Sequence, residues 1–367
     1  MVAGRTCRAR TRLAARIERG FAPAEPGARS RAAFAAARWP PSAATLPRVL
    51  VELRYNPASG RGKAVRTALR FQHALTTAGH HVVLDAVRAP PVSGRTPDLL
   101  VLIGGDGTVK HALDDAIALD IPVYHVPLGN ENLFAREFGM TREPARLARA
   151  IDARNIDSVD VAVVQGRSTT PAASGGAPAT LRRERFAIML SIGPDASVIH
   201  RMDSEGRSAP GHLAYIAPIA EELAHTRIVP ITARVDGRLV LDSRPGLLVV
   251  ANLRQYGFRV NPARHADARD ALLDLVFIPA TGAGALLIAG ALARFGLLES
   301  WPGVVTARGR VVELDAPGGL AQVDGESLAM HGPMRLETEA RALRVLCPPR
   351  VGGERAALPQ ASITMGR

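Results

Sequence analysis

Residues 98–112, DLLVLIGGDGTVKHA, constrain the fold more than any other stretch of the chain. Leu99 to Ile103 run aliphatic without interruption, as in a strand buried on both faces of a parallel sheet. Gly104 and Gly105 break the run, and a helix is expected from Gly107 to about Leu119. Glycines let a backbone approach a ligand closely. Amides at the following helix N-terminus favour an anion there. Gly104-Gly105-Asp106-Gly107-Thr108 is therefore a candidate phosphate turn. Asp106 cannot itself hold phosphate, because like charges repel. It suits a metal-bridged phosphate or a hydroxyl. Thr108 suits an N-cap or a phosphate donor. Lys110 follows two residues later. The plain alternative is a tight turn with Asp106 as a cap.

Strands and helices alternate around this segment, which argues for βαβ units and a parallel sheet. Arg48 to Tyr55 reads as a strand ending in Asn56-Pro57-Ala58-Ser59-Gly60. A helix is expected from about Lys63 to Ala78, stopped by Gly79. His81 to Val87 and Ile121 to Val126 read as further strands. Residues 88–97, RAPPVSGRTP, must cross between strands but cannot be helical. Ligands of such sheets bind at the carboxyl edge. Asn56, Pro57, Ala58, Ser59, Gly60 and Lys63 lie there with the glycine turn, although Asn-Pro and Ser-Gly also make plain turns. A third edge loop carries Asn130, Glu131 and Asn132, where Asn132 suits a helix cap or a nucleotide contact.

Near residue 156 the pattern switches to alternating segments at 156–164, 181–191, 228–241, 246–252, 272–278, 303–314 and 334–347. The expected division is a disordered Arg/Ala-rich extension over 1–46, an α/β nucleotide-binding domain over 47–155, a β-rich domain over 156–347 and a tail over 348–367. Residues 212–225 and 282–298 look helical, and 166–180 reads as a flexible loop.

Charge narrows the function classes. The chain has 367 residues and a net charge of +12, but nine arginines fall within residues 1–47 against only Glu18 and Glu25. The folded part is mildly basic, without the basic stripe and interleaved aromatics of a nucleic-acid surface, so no nucleic acid is expected as partner. A weak attraction to anionic headgroups fits equally well. Cys7 and Cys347 stand at opposite ends, against a disulfide framework. No uncharged apolar run reaches 18 residues, and 283–293 reads as a buried helix. The expected location is the cytoplasm, with peripheral contact at the inner membrane face.

Taken in order, three motifs resemble the diacylglycerol kinase-type lipid kinases, a superfamily that includes sphingosine and ceramide kinases. They are Asn56-Pro57-Ala58-Ser59-Gly60, the GGDGT turn, and Pro127-Leu128-Gly129-Asn130-Glu131-Asn132-Leu133-Phe134-Ala135-Arg136. The likeness continues in SIGPDASVI at 191–199, in residues 252–278 and in VDGES at 323–327. GGDGT alone is shared with NAD kinases and phosphofructokinases; the ordered set is more specific. The resemblance implies a doubly wound N-terminal nucleotide-binding domain, a C-terminal β-sandwich-like domain, and an active site between them. ATP phosphates would lie against 56–60 and 104–110, with Mg²⁺ as cofactor. Asp324-Gly325-Glu326 would supply the base for the acceptor hydroxyl of a lipid alcohol, diacylglycerol-like or sphingoid. Both carboxylates are expected to leave one strand-like segment on the same side. A metal site would map to Asp270, with Asp267 and the Leu272 carbonyl nearby. Asn130 stands where the family has threonine. Ala271 stands where it has glycine, a position strained for alanine if φ is positive. The alternatives are an NAD kinase-like enzyme and a degenerate relative that binds nucleotide or lipid without catalysis.

Overall fold

The computed structural model describes residues 48–86, 96–168, 180–204, 228–280 and 282–349. The 1–46 extension, the helix expected at 212–225, and most of segments 88–97, 166–180 and 348–367 lie outside those residues.

Four parallel strands form the N-terminal sheet: β1 (Leu50–Tyr55), β2 (His81–Ala86), β3 (Leu99–Gly104) and β4 (Val123–Pro127), in the order β2-β1-β3-β4. All six residues of β3 are buried, as its unbroken aliphatic run requires. Helix α1 (Ala64–Thr77) buries Ala64, Ala68, Phe71 and Leu75, spaced to form one helical face. Helices α2 (Asp106–Ala118), α3 (Leu133–Glu137) and α4 (Pro144–Ala153) follow. The edge loops are stitched by backbone: the Asn56 amide donates to the Ile103 carbonyl at 3.1 Å, and the Leu128 amide to the Gly104 carbonyl at 2.7 Å.

The C-terminal part is a β-sandwich-like pair of antiparallel sheets. One contains β5 (Ile156–Ser168), β6 (Leu181–Phe186), β8 (Pro230–Val235), β12 (Val311–Asp315) and β15 (Met330–Leu346). The other contains β7 (Met189–Ile192), β10 (Leu273–Pro279), β11 (Val305–Gly309), β13 (Ala321–Val323) and β14 (Glu326–Ser327). Strand β9 (Arg238–Ala251) serves both: its first half pairs with β8, its second with β7 and β10. At the switch, a Cβ on Gly246 would stand 2.4 Å from the Ile278 carbonyl oxygen, so only glycine fits. Phe186, Leu190, Leu248, Leu275, Phe277, Val312 and Leu336 fill the space between the sheets. One parallel pair, Val345 with Val123, joins β15 to β4 and makes the N-terminal sheet continuous with the first of the two C-terminal sheets.

Three segments read as single strands are broken. Residues 181–191 divide after Phe186, 228–241 turns at Asp236-Gly237, and 303–314 divides at Arg310. The VDGES segment is also a turn, with φ of 49° at Asp324 and 85° at Gly325. Two helices complete the site region: α5 (Pro194–Ser204) and α6 (Ala283–Arg294). No described helix is long and apolar enough to cross a membrane.

Candidate active site

The three edge loops meet at the glycine turn. A Cβ on Gly104 would stand 2.1 Å from Thr108 Oγ1 and 3.3 Å from Ser59 Oγ, so both hydroxyls crowd the same bare backbone. Thr108 is 3% exposed, and its Oγ1 has no hydrogen-bond partner. A buried orphan hydroxyl costs about 1–3 kcal/mol, which a bound acceptor would relieve. Thr108 is not the helix cap; Gly105 occupies that position. A Cβ on Gly129 would approach Gly105 Cα to 2.7 Å, so the second and third loops touch backbone to backbone. In the first loop Asn56 Oδ1 accepts the Ala58 amide at 3.0 Å, and Gly60 has φ of 63°.

Asp106 opens α2, but its carboxylate serves another helix. Oδ2 accepts the Leu133 amide at 2.9 Å and Oδ1 the Phe134 amide at 3.0 Å. Asn132 holds the N-cap position of α3 with φ of 50° and gives it no side-chain cap. Its amide group turns back, accepting the Gly129 N–H at 2.7 Å and donating to the Gly129 carbonyl at 2.6 Å. A pattern reading could see that α3 needed a cap; the residue that supplies it lies 27 positions upstream.

Asp324 and Glu326 do not face one cleft side by side. The left-handed backbone at Asp324 ends the strand alternation on which that expectation rested. Asp324 is 6% exposed and turns inward, accepting the amides of Ala187, Ile188 and Met189 at 2.7, 2.8 and 3.0 Å. Burial pushes its carboxyl up to about 6 against those three donors and the Lys110 charge. Glu326 reaches across to the other domain. Its Oε1 lies 2.9 Å from where a Gly107 Cβ would stand, and Lys110 Nζ is 3.0 Å from Oε2. Lys110 also pairs with Glu184 at 2.7 Å, and His111 Nε2 lies 3.3 Å from Glu326 Oε1. Burial depresses the Lys110 ammonium, but the two carboxylates outweigh it and raise its pKa. Lys63 caps nothing with its side chain and sits exposed at the start of α1.

Between the domains lies a cavity of about 400 Å³. Met189, Val198, Ile199, Met202, Leu247 and Ile278 make much of its wall, and Ala289, Gly290 and Ala293 of α6 close one side. Asp106, Asn130, Glu131, Asp324 and Gly325 line it too, so an apolar chamber abuts the glycine turn. One polar network also reaches it. Tyr256 donates to Asp195 Oδ2 at 2.6 Å, Ser191 donates to the same oxygen at 2.5 Å, and Gln322 Nε2 donates to Ser191 Oγ at 2.7 Å. Gln322 Oε1 then accepts the Gly325 amide at 2.8 Å. Burial raises the Asp195 carboxyl, and burial beside Asp195 raises the Tyr256 phenol well above its ordinary value. Asp195 and Tyr256 lie within segments 191–199 and 252–278, but no spacing pattern pairs residues 61 positions apart.

The carboxylates of the expected metal set are paired with arginines. The Asp270 carboxylate lies 2.7 Å from Arg308 and the Asp267 carboxylate 3.1 Å from Arg269. Among the described residues no group of three or more His, Cys, Asp or Glu side chains could hold a metal. Guanidinium groups stand where the metal charge was expected. Ala271 does have positive φ, 58°, and its amide donates to Asp160 Oδ2 at 2.7 Å.

Comparison with known proteins matches both halves. Residues 51–164 match the diacylglycerol kinase catalytic domain family, and residues 188–347 match the YegS C-terminal NAD kinase beta sandwich-like domain family. A diacylglycerol kinase of Mycobacterium tuberculosis is 28% identical over 303 residues, covering 80% of this chain and 93% of that protein. One from Bacillus subtilis is 26% identical over 240 residues, covering 61% and 72%. The fold resembles a crystal structure of a diacylglycerol kinase from Bacillus anthracis, with TM-score 0.59, 20% identity, and coverage of 82% of this chain and 97% of that one.

Proposed function

The chain belongs to the diacylglycerol kinase-type lipid kinases, and from that premise we propose that it transfers the γ-phosphate of ATP to the hydroxyl of a diacylglycerol-like lipid. One observation carries the reading: an apolar cavity with room for acyl chain adjoins the glycine turn and shares Asp106 with it. A water-soluble acceptor would gain nothing from that lining, whereas each methylene moved out of water contributes about 0.8 kcal/mol. A dinucleotide acceptor, with its ribose and amide, would find few partners among Met189, Val198, Ile199 and Met202.

The residues divide the work as phosphoryl transfer demands, by positioning and charge rather than covalent help. The nucleotide enters as its Mg²⁺ complex. Its phosphates would lie against the glycine turn and the 56–60 loop, where Ser59 and Thr108 offer hydroxyls. Lys110, two residues beyond Thr108, brings its ammonium to the same turn, held between Glu184 and Glu326. The acceptor hydroxyl comes from the cavity side, past Asp324 and Gly325. Its oxygen bonds to the γ-phosphorus, the bond from phosphorus to the β–γ bridging oxygen breaks, and ADP leaves with that electron pair. The hydroxyl proton goes to Glu326, the carboxylate beside Gly107. Asp324 acts through the backbone, fixing the turn that presents Glu326. Asp106 holds α3, and with it the 127–132 loop, against the glycine turn.

Labelled ATP offered with short-chain diacylglycerol, sphingosine, other lipid alcohols and NAD tests the reading. Diacylglycerol is expected to be phosphorylated. Transfer to NAD with none to any lipid would overturn it.

A further inference from the structure

Helix α6 has two apolar faces, and only one is accounted for. Leu286, Ala289, Gly290 and Ala293 face the cavity. On the opposite side Leu287 is 69% exposed, Ile288 53% and, just past the helix end, Phe295 77%. Leu287, Ala291 and Phe295 fall four apart, so they form one stripe. Leu297 follows just past the helix as a further exposed apolar side chain. The rest of the molecule has no comparable group among its described residues: Val65, Leu69, Leu119, Leu181, Leu239 and Leu320 lie on separate elements or at widely spaced positions.

Arginines rim this patch, and two of them are ion-paired: Arg264 with Glu299 and Arg254 with Glu137. Residues 252–266 contain Arg254, Arg259 and Arg264 and no acid; residues 280–298 contain Arg294 and no acid. Arg264 donates to the Gly296 carbonyl at 2.9 Å, which holds that segment to the end of α6. A contiguous exposed apolar patch marks a docking surface, and basic residues at its rim, Arg259 and Arg294 foremost, suit anionic headgroups.

We propose that the outer face of α6, with Leu297, docks on an anionic bilayer, so that the acceptor passes from the membrane into the cavity beside the same helix. The proposal rests on the lipid-kinase reading, since it makes the mouth of the acceptor site the point of membrane contact. It explains why α6 is apolar on both sides with Arg294 as its single charge. Docking needs no conformational step: one face of the helix meets the acyl region while the other walls the chamber.

Sedimentation of the full chain with vesicles tests it, using phosphatidylcholine with and without phosphatidylglycerol. The parent should bind the anionic vesicles more tightly. The double variant Leu287→Ser/Phe295→Ser should bind them about tenfold or more weakly, from the lost burial of two large side chains. Neither residue lines the cavity, so its rate on a water-soluble short-chain diacylglycerol should stay within about twofold of the parent's, which also shows that it folds. Its rate on long-chain diacylglycerol held in vesicles should fall with the binding. Arg294→Ala should weaken binding to anionic vesicles and leave the weak binding to neutral ones unchanged. Unchanged vesicle binding by the double variant would overturn the proposal. So would a parent that light scattering shows to be a dimer, split by the double variant with vesicle binding intact. A parent inert on every short-chain lipid would instead count against the kinase reading, and the vesicle measurement would still judge the docking face.

Discussion

Asp106 caps a helix that begins 27 residues later: its Oδ2 accepts the amide of Leu133 at 2.9 Å. Oδ1 takes the next amide, that of Phe134. The acidic residue of the glycine turn thus fastens the third edge loop to the second. An anion at a helix N-terminus is stabilising, and α3 has no other side-chain cap.

Asp106→Asn should therefore cost both activity and stability. Asparagine keeps one acceptor oxygen and sets an NH₂ against the second amide, leaving a buried donor unpaired. The expected loss is about 1–2 kcal/mol of unfolding free energy, together with near-complete loss of transfer. Urea unfolding and turnover measured on one preparation check it. Wild-type stability with turnover abolished would mean that the cap is dispensable and the charge alone matters.

Glu326→Gln should lower kcat by about 10²-fold or more, the size of a lost general base, with little change in ATP affinity. The isosteric amide cannot take the proton. It also leaves Lys110 with Glu184 as its remaining carboxylate partner. Full kcat in this variant would move the base elsewhere, with Asp106 next in line.

Asp324 gives a pH signature. Its folded carboxyl titrates at about 6 against 3.8 in the unfolded chain. Between those values the unfolded chain ionises while the folded one keeps its proton. The stability from this group is therefore complete below pH 3.8, falls by about 3 kcal/mol as pH rises to about 6, and is level above. Activity should run the opposite way. A protonated carboxyl holds the 187–189 amides less well, so kcat should drop as pH falls through about 6. Asp324→Asn should remove both trends. Parallel pH profiles for parent and variant would show that Asp324 does not titrate in this range.

Gly290→Leu should narrow acceptor choice. A Cβ there meets only Val260 Cγ1 at 4.0 Å, so the backbone tolerates a side chain, and the position lines the cavity. Leucine also suits a helix interior better than glycine by about 1 kcal/mol. The variant should be at least as stable as the parent, with KM raised for long-chain diacylglycerol and unchanged for ATP. An unaltered KM for every chain length would place the acyl chain elsewhere.

Ala271→Gly should stabilise. A non-glycine residue in the left-handed region costs about 1–2 kcal/mol, partly offset by the greater unfolded-state freedom of glycine, and Ala271 has φ of 58°. A net gain of up to about 1 kcal/mol should appear in thermal unfolding. With Arg308 on Asp270 and Arg269 on Asp267, EDTA should leave the melting temperature unchanged. A large fall with EDTA would show that a cation displaces those arginines.

The sequence by itself determined the local elements and the place where they deliver chemistry. An aliphatic run such as Leu99–Ile103 has no exposed face to offer and must enter a sheet interior, and paired glycines can only break it. Those are near-neighbour effects, readable along the chain, and they put Asn56–Gly60, Gly104–Thr108 and Asn130–Asn132 at one edge. What tertiary structure decided are the partners. Asp106 chose the amides of α3, Asp324 those of 187–189, and Glu326 the lysine of the other domain. A carboxylate accepts from whichever donors the fold brings within about 3 Å, and no spacing rule ranks residues 27, 136 or 216 positions away. The surroundings of the expected metal set were hidden for the same reason. Its carboxylates were legible, but Arg308, 38 positions downstream, reached Asp270 across the paired strands β10 and β11.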